Sequence, residues 1–496
     1  MTKKKNKTRP PVSAVKAVAV PKSSPDSFLW PALILAFILR LIYLKTSQAS
    51  PFYEPLLLDA KYYQEWALRI AHGDLGSDVF YGLPLYPFFL GAVYTFFHDS
   101  LFAAKLVQIL LGVVTVYYVA RITERMADRR AATVAAYLAA IYGPLIFHEA
   151  LLIPEAIGTP LYAAAFFYTL EFLRQPSLRR ARWLGVLFGL CMLTKAGILI
   201  FVLVFLANLY FVQSKRHKMM RQFVIQCAGA FLLTMAPVTA HNVVHGKDLV
   251  WLTSHSGFNF YVGNNERAEG VFAPPPGTGT NVDSQIEDSK AVAEREMRRT
   301  LKPSEVSKYW SDKALNFISN HPGQFLKLCF RKLLLFFDSR EISDIEDYQF
   351  AALFNPFLKF PWPNFIFLGP LFLLGLVSSF KKIRYYRVMA IWVGGYLAGM
   401  MLFFVNARYR LPLLPVMISV AAVAGTQFYT DFVEWRMKRL LIALSVLIAG
   451  VVIGQLHLVE TNFARDYVNA GDIWLEKNEP VRALPDRKST RLNSSH

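Results

Sequence analysis

The chain is short of cysteine, of charge and of acid. Its three cysteines, Cys191, Cys227 and Cys329, show no paired or Cys-x-x-Cys spacing, and the first two lie inside apolar runs. That excludes a disulfide framework and a zinc knuckle. Charged residues make up only 18% of the 496, against 54% hydrophobic and 15% aromatic, and mean hydropathy is +0.31. This balance excludes a soluble globular domain and points to a polytopic membrane protein. Asp and Glu number 35 against 54 Lys and Arg, leaving a formal charge of +19. In a soluble chain that excess would suggest nucleic acid, but here most cations sit in short clusters between apolar runs. There they are topology signals, with attraction to lipid head groups as a second role. No A-x-A cleavage signal follows the first apolar run, so residues 1–27 read as a disordered basic cytoplasmic tail leading into a retained span. No internal repeat is obvious either.

What is there is a series of apolar runs long enough to span a bilayer: 28–46, 101–122, 131–149, 151–173, 222–240, 364–380, 388–405, 411–430 and 440–457. The run 183–212 is too long for one span and short for two. Basic clusters flank it on both sides, so it reads as a hairpin of two short helices turning near Thr194, Lys195, Ala196 and Gly197. With RITERMADRR, KKIRYYR and RMKR also cytoplasmic, the count is about eleven spans with the N-terminus inside. The segment 84–97 cannot cross without breaking that parity and reads as a juxtamembrane or re-entrant helix.

The expected organisation is an N-terminal transmembrane module, 28–240, with a first outer loop at 47–100. A mainly helical outer loop domain follows at 241–363, then C-terminal transmembrane helices at 364–457. Residues 458–485 have the spacing of the start of a tetratricopeptide repeat, with a plain amphipathic helix as the equal alternative. The last stretch, 486–496, reads as the in-frame translation of a sequencing adapter, which implies a shortened gene product.

Topology then gathers Asp59, Glu149, Glu155, Lys195, His241, His245, Arg408 and Arg410 at one membrane face. Ionisable groups at membrane level are costly, so their collection marks a site. The null for Asp59 is a helix N-cap. For the two arginines of NARYRLPLLP it is snorkelling, although cations there run against the positive-inside bias. In GFNFYVGNN, Gly257, Gly263, Asn264 and Asn265 are first of all turn formers, with sugar or acceptor recognition as the other reading.

The ordered set DAKYYQEWALRIAHGD, FYGLPLYPFFLGAVY, HEALLIPE, LTKAG, GFNFYVGNN and NARYRLPLLP resembles bacterial GT-C glycosyltransferases. It is similar to the dolichyl-phosphate-mannose-protein mannosyltransferase-like branch, related to the lipid A aminoarabinose transferases. The resemblance runs over about 28–457. It implies an all-α GT-C bundle in the bacterial cytoplasmic membrane, acting on its outer side. The implied reaction is an inverting transfer of sugar from a polyprenyl-phosphate donor to a protein, lipid or glycan. Such chemistry needs a base for the acceptor hydroxyl and cations for the departing phosphate.

The resemblance puts the catalytic acid at Asp59 and a second acid at Glu155 or Glu149. It puts donor phosphate on Lys195, with Arg408 and Arg410 beside it. Tyr62, Tyr63, Asn264, Asn265 and Tyr409 are candidate substrate contacts. Many members use a divalent metal, which His148, His241 or His245 would assist, although the spacings match no standard metal motif. The usual second acid beside Asp59 is missing, because the motif reads DAKYY. A transporter or flippase of lipid-linked glycans is the alternative, and a non-catalytic scaffold a third reading.

Overall fold

The computed structural model describes residues 26–212, 217–343, 345–378, 383, 385–460 and 463–477. Most of the expected tail 1–27, the adapter-like 486–496 and residues 461–462 and 478–485 of the possible repeat lie outside them. Twenty α-helices and short 3-10 turns form the structure, with no strand among the described residues. In chain order they are α1 (Trp30–Ser47), α2 (Leu58–Ala71), α3 (Leu85–Phe97), α4 (Leu101–Met126), α5 (Arg129–Ile141), α6 (Gly143–Glu149) and α7 (Glu155–Arg174). Next come α8 (Leu178–Met192), α9 (Ile198–Val212), α10 (His217–Val244), α11 (Ser256–Gly263), α12 (Val282–Met297), α13 (Pro303–Asn320) and α14 (Pro322–Phe336). The last are α15 (Tyr348–Phe354), α16 (Phe365–Ser378), α17 (Tyr386–Met401), α18 (Leu414–Val433), α19 (Met437–Gly454) and α20 (Ala464–Glu476). This is an all-α, multi-pass membrane protein.

Six helices among the described residues are long and apolar enough to cross a bilayer, and a seventh span arises if α5 and α6 count as one element bent by 55°. The bend has a local cause. Pro144 has no N–H to continue the ladder, and the Gly143 N–H leaves it to donate to the Pro363 carbonyl at 3.0 Å. Helices α3, α9 and α16 are apolar but shorter. The long run 183–212 is indeed divided, into α8 and α9, with the break at Leu193 to Gly197. The run 84–97 forms the 13-residue α3, which packs on α2 rather than standing alone.

Bundle contacts use small residues, as helix pairs in lipid require. A Cβ on Gly185 in α8 would lie 2.2 Å from the Cys227 carbonyl oxygen of α10. Helix α5 likewise buries Ala132, Ala136 and Ala140 at spacing of four. The elements from α11 to α15 lie together at the end of the bundle where α7 begins, α8 and α9 meet, and α10 and α17 finish. That end holds the site.

Candidate active site

Asp59 sits in the first turn of α2, where a carboxylate interacts well with the helix dipole. It is not the N-cap. Leu57 holds that position, and Leu58 between them has φ +50°, a left-handed conformation costly for a bulky side chain. The Asp59 carboxylate meets the Arg408 guanidinium at 2.9 Å. Arg408 comes from a 3-10 segment, Ala407–Leu413, whose entry is fixed by the Asn406 side chain accepting the Tyr409 N–H at 3.1 Å.

Glu155 opens α7, directly after Pro154, and is 3% exposed. Its Oε1 accepts a 2.7 Å bond from Lys195 Nζ, while Oε2 is buried without a partner. Lys195 stands in the break between α8 and α9. Its carbonyl accepts from the Tyr162 hydroxyl at 2.7 Å, and its ammonium lies 3.1 Å from the centre of the Tyr409 ring. Tyr409 therefore stands between the two cations, its ring 5.5 Å from the Arg408 guanidinium carbon.

These five residues line one cavity of ≈ 700 Å³. Tyr62 and Tyr63 add its side wall, their rings 5.4 Å apart. Burial raises both phenols above their usual range, so they stay protonated. Leu249 and Trp251, 78% and 49% exposed, also belong to the cavity lining and leave it an apolar lip. The α11 to α13 side contributes neutral polar groups such as Asn259, Gln285 and Ser311.

The remaining expected residues are elsewhere. Glu149 lies outside the cavity lining, in a buried pair with Arg40 at 2.6 Å and 3.2 Å. Gly112 makes room for it, since a Cβ there would come within 2.3 Å of Glu149 Oε2. Arg410, two residues after Arg408, turns away from the cavity. It donates to the carbonyls of Asp338 at 2.9 Å and Arg340 at 2.8 Å, and stacks on Phe365. Asn264 donates to the carbonyls of Phe260 and Leu402 at 2.8 Å and 2.6 Å. Asn265 donates to Tyr261 at 2.9 Å. Both asparagines thus tie down the end of α11. The motif GFNFYVGNN is a short helix, with Gly257 inside it, followed by that tie at the place where the sequence suggested a tight turn at GNN.

His148 is buried with Nδ1 2.7 Å from the Pro144 carbonyl, and His241 stacks on Phe80 at 4.0 Å. Among the described residues no three His, Cys, Asp or Glu side chains gather as a metal site would need. With Asp59 and Glu155 each facing a cation, the donor set does not fit a divalent ion as it stands.

Tyr81, His255 and Tyr396 also line the cavity and were not singled out from sequence. Tyr396 donates to the Tyr409 carbonyl at 2.9 Å, and its neighbour Gly399 lets α17 approach the Gly197 carbonyl. The sequence carries no signal for them beyond ordinary aromatic content.

Residues 82–241 match the family described as dolichyl-phosphate-mannose-protein mannosyltransferase. No curated protein matches the chain. Solved structures with similar folds include the oligosaccharyltransferase AglB from Archaeoglobus fulgidus in complex with an inhibitory peptide and a dolichol-phosphate. It is 14% identical over 93% of this chain and 59% of its own, with a TM-score of 0.46. The same enzyme complexed with Zn and sulfate gives 16%, 90%, 55% and 0.46. ArnT from Cupriavidus metallidurans bound to undecaprenyl phosphate gives 12%, 82%, 78% and 0.37. The chain thus spans under two thirds of the oligosaccharyltransferase's length. Residues 82–241, which carry Glu155 and Lys195, are the part of the chain that is similar in sequence to the dolichyl-phosphate-mannose-protein mannosyltransferase family.

Proposed function

We propose that this protein is an inverting, GT-C type glycosyltransferase. It moves a sugar from a polyprenyl-phosphate donor to a hydroxyl on a protein, lipid or glycan, at the outer face of a bacterial cytoplasmic membrane. The observation that carries this reading is the convergence of Asp59, Glu155, Lys195 and Arg408 from four separate segments on one cavity with an apolar lip. The family match over 82–241 favours transfer over the transporter alternative.

In the unliganded site the charges neutralise one another pairwise. A donor phosphate competes for Lys195 and Arg408, and Arg408 presents the flat two-pronged donor set that suits phosphate. The isoprenoid chain leaves over Leu249 and Trp251. Drawing Arg408 toward phosphate loosens its hold on Asp59, whose carboxylate then accepts the acceptor proton as the acceptor oxygen attacks the anomeric carbon. The bond from the anomeric carbon to the phosphate oxygen breaks, its electron pair leaves on that oxygen, and the two cations hold the resulting charge. Glu155 positions Lys195. Glu149, Arg410, Asn264 and Asn265 hold the surrounding frame.

With a radiolabelled polyprenyl-phosphate sugar and an acceptor, purified protein should release polyprenyl phosphate. Asp59→Asn should slow this on the order of 10²- to 10⁴-fold, the usual weight of a general base, while polyprenyl phosphate still binds. Wild-type turnover in that variant would remove Asp59 from the role of base. Movement of intact lipid-linked sugar across vesicles without transfer would favour the transporter.

A further inference from the structure

The mechanism above leaves one wall of the cavity unused. Loop 78–83 and loop 249–255 are stitched together there: Ser254 N–H donates to the Phe80 carbonyl at 3.1 Å and His255 N–H to the Tyr81 carbonyl at 3.4 Å. Asn242 of α10 holds both loops, accepting from Phe80 N–H at 3.0 Å and donating to Val250 and Leu252. The stitch places the rings of Tyr81 and His255 4.2 Å apart in the cavity wall.

Both side chains carry an orphaned polar atom. Tyr81 Oη and His255 Nδ1 are buried and have no hydrogen-bond partner among the described residues. A third orphan, Glu155 Oε2, lines the same cavity. Native proteins seldom leave buried polar atoms unpaired, and each such atom calls for an explanation. Two on touching rings in the wall of a large cavity gain partners if a small rotation of the rings turns them toward a bound ligand.

We infer that Tyr81 and His255 form a sugar-reading pair, which hydrogen-bonds the hydroxyls of an uncharged pyranose and covers part of its ring with their aromatic faces. The class follows from the charge state of the wall. Burial pushes the His255 imidazole down to about 3, an effect that the Asn259 side chain only partly offsets. Burial, with Tyr62 and Asp59 adding to it, raises the Tyr81 phenol. Both groups are neutral across the physiological range, so they pair with hydroxyls better than with a carboxylate or an ammonium. Asp59 lines the same cavity, so the pair faces the space where transferred sugar and acceptor meet. This inference rests on the glycosyltransferase reading. Its sugar belongs either to the donor or to a glycan acceptor.

The test uses Tyr81→Phe and His255→Phe in the full chain in nanodiscs. Removing an unpaired buried polar atom while keeping a ring does not harm the fold, so the unfolding midpoint of Tyr81→Phe should stay at or above wild type. A donor-side sugar predicts unchanged affinity for undecaprenyl phosphate and about tenfold weaker binding of undecaprenyl-phosphate mannose in each variant, the loss of one hydrogen bond. An acceptor-side sugar predicts unchanged binding of both lipids and about tenfold weaker binding of methyl mannoside or methyl glucoside, followed by saturation-transfer NMR.

Equal binding of every lipid and glycoside by variants and wild type overturns the pair, as does absence of saturable glycoside binding, free or lipid-linked, in the wild type. Wild-type protein that binds methyl glycosides through this pair but not undecaprenyl phosphate keeps the inference and removes the polyprenyl-phosphate reading instead.

Discussion

At the scale of residues, the chain places carboxylates in two different settings, and they should respond differently to substitution. Glu149 and Arg40 are almost completely buried, and Arg40 also donates to the Ala36 and Ala140 carbonyls at 3.2 Å. Breaking such a pair strands a charge, so Glu149→Ala should cost about 3–5 kcal/mol, whereas removing both partners together as Arg40→Met with Glu149→Leu should recover most of it. Gly112→Ala should act like the single loss, because its methyl group would occupy the carboxylate's position. Thermal unfolding in detergent checks all three. A double variant as unstable as Glu149→Ala would show that the pair does more than neutralise itself.

Glu155 and Lys195 form the second setting. Lys195 keeps 22% of its side chain exposed to the cavity, but Glu155 is 3% exposed, so Lys195→Met alone would strand a buried carboxylate. Lys195→Met combined with Glu155→Gln is the variant that should leave folding close to wild type. It should weaken undecaprenyl phosphate binding by about tenfold or more, as expected for one lost charge-assisted hydrogen bond. Isothermal titration in nanodiscs reads this directly, and unchanged affinity would take Lys195 out of the phosphate site.

At the scale of elements, the sequence revealed the six long apolar helices among the described residues because lipid demands long uninterrupted apolar runs. It revealed the division of 183–212 into α8 and α9 because flanking cations mark both its ends. It did not reveal which way Arg408 and Arg410 face. Two residues apart on a 3-10 turn, one reaches Asp59 and the other the Asp338 carbonyl, and composition is the same for both. Nor did it reveal why GFNFYVGNN carries its glycines. Gly257 packs against the Ser307 carbonyl and Gly263 against that of Phe403, where a Cβ would lie 1.8 Å and 2.4 Å away. Close approach between distant segments, not turning, selects glycine there.

Lys332 of α14 explains the asparagine that follows. Fully buried, it donates to Asn264 Oδ1 at 3.1 Å and to the Met401 carbonyl at 2.9 Å, fastening α11 and α14 to the C-terminal end of α17. A cation at that end suits the helix dipole. Burial still pushes its ammonium down to about 8, an effect that Cys329 only partly offsets. The sign is definite. Between about pH 8 and the ordinary lysine range near 10.4, the unfolded chain holds a proton that the folded chain has released, so stability rises with pH there. Lys332→Met should flatten that rise, seen as unfolding midpoints that differ less between pH 8 and pH 10 than in wild type. The same slope in both proteins would place the titration elsewhere.

At the scale of the whole molecule, one end of the bundle carries the cavity and the other carries ion pairs such as Arg125 with Glu171, together with the basic stretch 178–182. The cavity has one function only if its end faces the side where lipid-linked sugars are used. The proposed function and the positive-inside bias predict that this end faces outside. Four exposed positions test the assignment in a Cys329→Ser background, since Cys191 and Cys227 are buried. Asp74→Cys and Glu287→Cys lie toward the cavity end, Arg179→Cys and Glu434→Cys toward the other. An impermeant maleimide added to intact spheroplasts should label positions 74 and 287 and spare 179 and 434 until the membrane is opened. Labelling in the reverse order would put Asp59, Lys195 and Arg408 on the cytoplasmic side, where a sugar nucleotide would become the more natural donor than a polyprenyl-phosphate sugar.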